Sequence, residues 1–286
     1  MIRRVSPASW AMIAAGGVSQ IYLLLGDPNW GYAALGLNVY MLLLWWATVW
    51  ATPGASTETD VLRAAGPRSR VALRSAVVVL ALLGVFAYSV AVNGAGHVPV
   101  FSPLMHAWSV SNPPFGTTAI PNFVLYALIP GLLVLALGAK RRELGLTAPR
   151  AGTLRAALAA LVLPAIFCAW ALFAGKLGIA ALGYVVVRNF LSSGFSEEFL
   201  VRGLALSHLR AYLTTEWAVF AQAMLFAIFH AASSLDEPGI PLLIAYLIAT
   251  SAIQGYVLGL IALRTRSLAL PVLIHTTLGM MKEALT

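Results

Sequence analysis

Long apolar runs, separated by short polar or charged segments, organise this chain from end to end. Candidate membrane spans fall at residues 8–26, 30–52, 71–92, 119–139, 155–175, 178–210, 216–235, 240–263 and 268–285. Most approach the roughly 20 apolar residues that cross a hydrocarbon core. The run 178–210 is too long for one straight helix. It predicts either one tilted helix, bent near Ser192-Ser193-Gly194 where small residues permit a kink, or two shorter helices. The pattern as a whole predicts an all-α fold, a polytopic transmembrane helix bundle of about eight to nine spans.

Charges between the runs orient the bundle. Loop 53–70 carries Arg63, Arg68 and Arg70, with Arg74 just beyond, and loop 140–154 carries Lys140, Arg141, Arg142 and Arg150. Loop 93–118 contains no Lys or Arg. The positive-inside rule then places the N-terminus in the cytoplasm. One bent span over 178–210 also puts Arg210, Arg264 and Arg266 inside and the turn Asp236-Glu237-Pro238-Gly239 outside, whereas two spans would reverse this. The single span is therefore preferred. Trp10, Trp30, Trp50 and Trp217 sit at span ends, as interfacial anchors do. Met1-Ile2-Arg3-Arg4 and the apolar run after it resemble a signal peptide, but no small-x-small site follows, so the run reads as an uncleaved first span.

Composition sharpens this picture. Of 286 residues, 60% are hydrophobic and 10% charged, with mean hydropathy +0.86; a soluble domain carries about 25% charged residues. The net charge of +8 belongs to cytoplasmic loops, so the expected partner is the lipid bilayer and no nucleic acid. No composition shift marks a soluble linker. The lone Cys168 excludes an intrachain disulfide and reads as a buried structural thiol. His97 and His106, in a Pro- and Gly-rich loop, read as solvated side chains rather than metal ligands.

Candidate chemistry lies in Glu197-Glu198-Phe199-Leu200-Val201-Arg202 and in Phe226-Ala227-Ile228-Phe229-His230. Ionisable side chains inside apolar helices are costly and mark function by default. Glu198 and Arg202, four residues apart, meet on one helix face. Glu197, about 100° away, need not share that arginine, which leaves it free to act as a base. Counted along their spans, Glu197, His230 and His275 fall at one depth, at or below the midplane on the cytoplasmic side. A Glu with one or two histidines can hold and deprotonate a water, and an imidazole can donate to a developing oxyanion. Any one of these residues alone would be ordinary structure; their convergence argues for function. No His-Glu-x-x-His, Gly-x-Gly-Asp, rhomboid-type serine motif or Gly-rich phosphate loop is present. A transporter using Glu197 as a proton site is a further reading, but no two similar halves are visible.

At these residues the chain resembles the CPBP family, the CAAX-protease and bacteriocin-processing membrane peptidases, or glutamic-type intramembrane endopeptidases. Their pattern is Glu-Glu-x-x-x-Arg, Phe-x-x-x-His, then His-x-x-x-Asn. Glu197-Glu198-x-x-x-Arg202 and Phe226-x-x-x-His230 match the first two in order. The resemblance covers about 140–286, so 140–286 is expected to be the protease-like core and 1–139 a set of N-terminal transmembrane helices of unassigned role. It implies that Glu197 activates water and His230 orients it. It casts Glu198, Arg202 and Phe226 as support and His275 as an oxyanion contributor. It implies a membrane-tethered protein or peptide substrate and an integral protein of a bacterial or archaeal plasma membrane. The family has been described as metal-dependent; a glutamate and water mechanism needs no metal, so none is expected, with zinc as the alternative. The third motif departs from the pattern: His275-Thr276-Thr277-Leu278-Gly279 has Gly in place of the usual Asn. Thr276, a backbone N–H or nothing could replace that donor, so a catalytically weak or inactive immunity or assembly protein is the second expectation. Arg188 either binds a substrate carboxylate or snorkels to an interface.

Overall fold

The computed structural model describes residues 6–93, 119–176, 178–231 and 239–285. His97, His106 and the acidic pair Asp236-Glu237 lie outside the described residues. Nine helical rods make up the described fold, and no strand occurs among the described residues. They are α1 (Pro7–Gly26), α2 (Pro28–Ala51), α3 (Arg68–Asn93), α4 (Ala119–Ala136), α5 (Thr153–Phe173), α6 (179–212), α7 (Thr215–Ala231), α8 (Ile240–Thr265) and α9 (Ala269–Leu285). Six of them, α1 to α5 and α8, are long and apolar enough to cross a membrane. Large apolar side chains face outward along them, Leu25 at 82% and Phe173 at 93% exposure. A surface of that kind is stable only in lipid, and the chain is an integral membrane protein.

Local chemistry explains the first turns. Ser6 caps α1 by accepting from the Ser9 N–H, and Pro7 opens the helix. Asp27 ends α1 and caps α2, accepting from Asn29 and Trp30 N–H groups, with Pro28 in the first turn. Both combinations satisfy donors that a helix start leaves orphaned. The long run at 178–210 forms one continuous helix, α6, with π turns at Phe190–Gly194 and Phe199–Leu206. A π turn inserts one residue and bends the rod; the first falls on the Ser192-Ser193-Gly194 stretch.

With α6 as one rod, all of the Arg-rich connections meet at one end. Arg210 donates to the carbonyls of Thr59, Val61 and Leu62, and Arg264 to those of Val49, Thr52 and Ala55. Arg74 pairs with Glu143 at 2.8 Å, both buried. Leu62 N–H donates to Arg142 O, Ala64 N–H to Ser207 O and Leu268 N–H to Gly145 O. Three arginines thus satisfy loop carbonyls and lock the basic end. A cluster of buried apolar residues joins Met12 of α1, Val78 and Val85 of α3 and Tyr126 of α4 to Phe199, Leu204 and Phe226. Cys168 is half-buried on α5 rather than buried, because the outer face of that helix needs only to be apolar. Trp30 is also half-buried, packed edge-on against Tyr246 with ring centroids 4.3 Å apart.

Candidate active site

Helices α6, α7 and α9 carry the singled-out residues, and close backbone approach joins α6 to α9. A Cβ on Gly194 would lie 2.0 Å from Thr276 Oγ1, so only Gly lets the rods meet there. Ser196, fully buried, donates its hydroxyl to Leu191 O and satisfies a carbonyl beside the π turn. The two π turns flank Phe195–Glu198 and set both carboxylates inward. Gly203 abuts Leu144 and Leu268 at the basic end. Glu197, six residues deeper, lies about 9 Å further in at ~1.5 Å per residue.

Glu198 and Arg202 are both 0% exposed and form an ion pair at 2.9 Å. Arg202 also donates to Gly255 O (3.2 Å) and lies over the Phe226 ring, 4.5 Å from its centroid. His275 Nδ1 lies 2.8 Å from the same Glu198 oxygen that Arg202 holds. An ionised carboxylate only accepts, so Nδ1 carries the proton and a neutral His275 presents a bare Nε2. In His230, Nδ1 faces Phe226 O at 2.9 Å, and a carbonyl only accepts, so that nitrogen too carries a proton. Phe226 separates the two imidazoles, 4.4 Å from His230 and 5.8 Å from His275 between centroids.

Both Nε2 atoms face Glu197. Its Oε2 is 3.9 Å from His230 Nε2 and 3.8 Å from His275 Nε2. That oxygen is buried and makes no hydrogen bond among the described residues. Glu197, His230 and the neighbouring Phe226 line a cavity of 130 Å³. The structure therefore brings Glu197, Glu198, Arg202, Phe226, His230 and His275 together. It does not bring in Arg188, which lies over the Tyr184 ring (5.7 Å). Arg188 precedes Glu197 by nine residues, about 14 Å of helix, and does not line the cavity. Among the described residues no group of three His, Cys, Asp or Glu side chains has metal-holding geometry.

Residues 179–281 match the family model described as Type II CAAX prenyl endopeptidase Rce1-like. Neither the curated proteins nor the solved structures gave a match. The match supports a relation of the region 179–281 to the CAAX/CPBP protease family. That region holds the whole Glu, Arg and His cluster, and the similarity supports a CAAX-type intramembrane protease.

Helices α1 to α5 lie outside the match, yet α3 and α4 close the site. Val85, Ser89, Asn122 and Tyr126 line the same cavity as Glu197. The Tyr126 and Ser89 hydroxyls are 3.0 Å apart, and Asn122 Nδ2 donates to Ser192 O while its buried Oδ1 has no partner among the described residues. The sequence reading passed over these three. The cost of polar groups inside apolar spans, applied to Asn122 and Ser89 as it was to Glu197, is the signal that would have found them.

The vacancy at Gly279 also has an explanation. A Cβ there would lie 2.9 Å from Asn189 Nδ2 and 3.1 Å from its Cγ. The buried Asn189 carboxamide, delivered from α6, fills the space a side chain at 279 would need. Thr276 does not reach the site, since its hydroxyl donates to Val272 O at 2.8 Å.

Proposed function

We propose that this protein hydrolyses peptide bonds of membrane-tethered proteins or peptides with a water molecule activated by Glu197. The observation that carries this reading is the buried, unbonded Glu197 Oε2, 3.8 and 3.9 Å from two imidazole nitrogens. A water bonded at about 2.8 Å to two acceptors spans them at about 4 Å when its bonds lie near a right angle. That water donates one hydrogen to Glu197 and the other to an imidazole Nε2.

The chemistry follows from those positions. The water oxygen attacks the scissile carbonyl carbon while its proton passes to Glu197, and the carbonyl oxygen becomes an oxyanion. Glu197 then returns the proton to the leaving nitrogen as the C–N bond breaks, giving a carboxyl and an amine terminus. Glu198 and Arg202 cancel each other's charge, so Glu197 is the surplus negative charge of the cluster. An imidazolium at His275 or His230 would gain the Nε2–H that a neutral ring lacks and could then donate to the oxyanion. The Tyr126 hydroxyl and the Asn122 amide are further donors on the cavity wall.

Tetrahedral zinc, bonded at about 2.0–2.2 Å, would draw its ligand atoms to about 3.4 Å of one another. The wider spacing around Glu197, with the other nitrogens and Glu198 already engaged, favours the metal-free mechanism. Gly279 keeps a second reading in view: a weakly catalytic or silent member acting in immunity or assembly.

The test is a comparison of membrane-peptide termini in cells carrying wild type, Glu197→Gln or His230→Ala at matched protein levels. New termini present only with wild type are expected, and they identify the substrate. Identical termini in all three, with the protein still conferring a phenotype, would overturn the hydrolytic reading in favour of the non-catalytic one.

A further inference from the structure

A second, separate feature lies on the seam between α3 and α4. At the basic end a cavity of 250 Å³ is lined by Arg70, Arg74, Lys140 and Arg142, with Glu143 as its only acidic residue. Glu143 is spent on Arg74, at 2.8 Å. Arg70, Lys140 and Arg142 make no ion pair among the described residues and are exposed. Arg74 is 1% exposed, and its Nε–H is a buried donor with no acceptor among the described residues. The Arg70 guanidinium reaches the connection after α4, with Nη1 3.9 Å from where a Cβ on Gly138 would sit. Three surplus positive charges and an orphaned guanidinium donor thus surround one hollow at the start of a long helix, where backbone N–H groups also favour an anion.

Further along the same seam is an apolar groove of 490 Å³, lined by Val77, Leu80, Gly84 and Val85 of α3 and by Ile129 and Leu133 of α4. From Arg74 to Val85 the seam runs eleven residues, about 16 Å. One leaflet of a bilayer core is about 15 Å deep. A charged hollow at headgroup level, continued by an apolar groove one leaflet long, matches the two halves of an anionic lipid.

We propose that the α3–α4 seam binds an anionic phospholipid, its phosphate in the basic hollow and one acyl chain in the groove. Basic pockets between helices at a membrane surface bind anionic headgroups in this way. A free phosphate shares the headgroup chemistry but has nothing to fill the groove. Val85 lines both the groove and the cavity that holds Glu197, so the bound chain ends against the wall of the catalytic cavity.

The experiment is native mass spectrometry of the full-length protein released from detergent. It is titrated with phosphatidylglycerol or phosphatidylcholine, with inorganic phosphate as competitor. One phosphatidylglycerol should be retained in preference to phosphatidylcholine, and equimolar phosphate should not displace it. Arg70→Gln with Lys140→Gln should weaken phosphatidylglycerol binding by about 25-fold, near fivefold per lost charge. Gly84→Leu should abolish binding at the lipid concentration that saturates wild type. All three positions are exposed, and a Cβ on Gly84 meets no atom within 4 Å, so these variants keep the fold. Arg155→Gln, an exposed charge outside the hollow, is the control and should bind as wild type does. Equal retention of both lipids would overturn the proposal, as would an equal loss in the control, which marks diffuse surface attraction. Displacement by phosphate with no effect of Gly84→Leu would overturn it too, leaving an inorganic-anion site only.

Discussion

Glu197→Gln separates catalysis from structure in a single substitution. The side chain keeps its shape and loses its charge. Glu197 Oε2 is a buried acceptor with no hydrogen bond among the described residues, a condition that costs about 1–3 kcal/mol. It is also the surplus negative charge beside the Glu198–Arg202 pair. A glutamine amide there can donate to the Nε2 of His230 or His275, and it removes the uncompensated charge. Stability should therefore hold or rise, by up to about 1 kcal/mol. At roughly 2–4 °C per kcal/mol for a chain somewhat shorter than this one, the melting temperature in detergent should stay level or climb by up to about 4 °C. Cleavage should fall by about 100- to 10,000-fold, the contribution of a positioned general base. The assays are thermal unfolding of the purified protein and hydrolysis of a substrate found from the peptide termini. A melting temperature lowered by more than about 4 °C would instead mean that Glu197 holds the helices together. Full retained cleavage would rule out Glu197 as the base.

Other substitutions test neighbouring parts of the argument. Arg202→Met should destabilise by about 3–5 kcal/mol, since it strands Glu198 at 0% exposure; adding Glu198→Gln should restore most of that loss in the same melting assay. Gly279→Asn should cost about 1–3 kcal/mol by overpacking against Asn189, and Asn189→Gly in the same chain should relieve it; independent, additive losses would disprove the shared space. A strong chelator should leave cleavage unchanged, and a loss reversed by added zinc would reinstate the metal mechanism. Tyr126→Phe should lower kcat more than it raises KM, if the hydroxyl on the cavity wall meets the oxyanion only as it forms.

Much of the architecture was open to reading because bilayer physics acts locally. Apolar run lengths, loop arginines and the turn signals at Ser6-Pro7 and Asp27-Pro28 each depend on a few adjacent residues. The same holds for the Glu198–Arg202 pair, four residues apart on one helix. The bend in α6 was also visible in its small residues, although periodicity could not distinguish one rod from two. That question needed the interlocking of Arg210 and Arg264 with distant loop carbonyls, contacts separated by some 150 to 215 residues.

The helical, membrane-embedded class and the short list of costly polar groups follow from the amino-acid order alone, because the cost of burying a charge in lipid is set residue by residue. Tertiary structure alone decided how those groups share their hydrogen bonds. It directs both Nδ1 atoms to fixed acceptors and leaves Nε2 facing Glu197. It closes the cavity beside Glu197 with Ser89, Asn122 and Tyr126 from helices outside the matched region, and it seats Asn189 in the space left by Gly279. These pairings join residues remote in the chain through packing of rigid rods. Packing depends on which faces meet, a property of the assembled bundle that no single segment encodes.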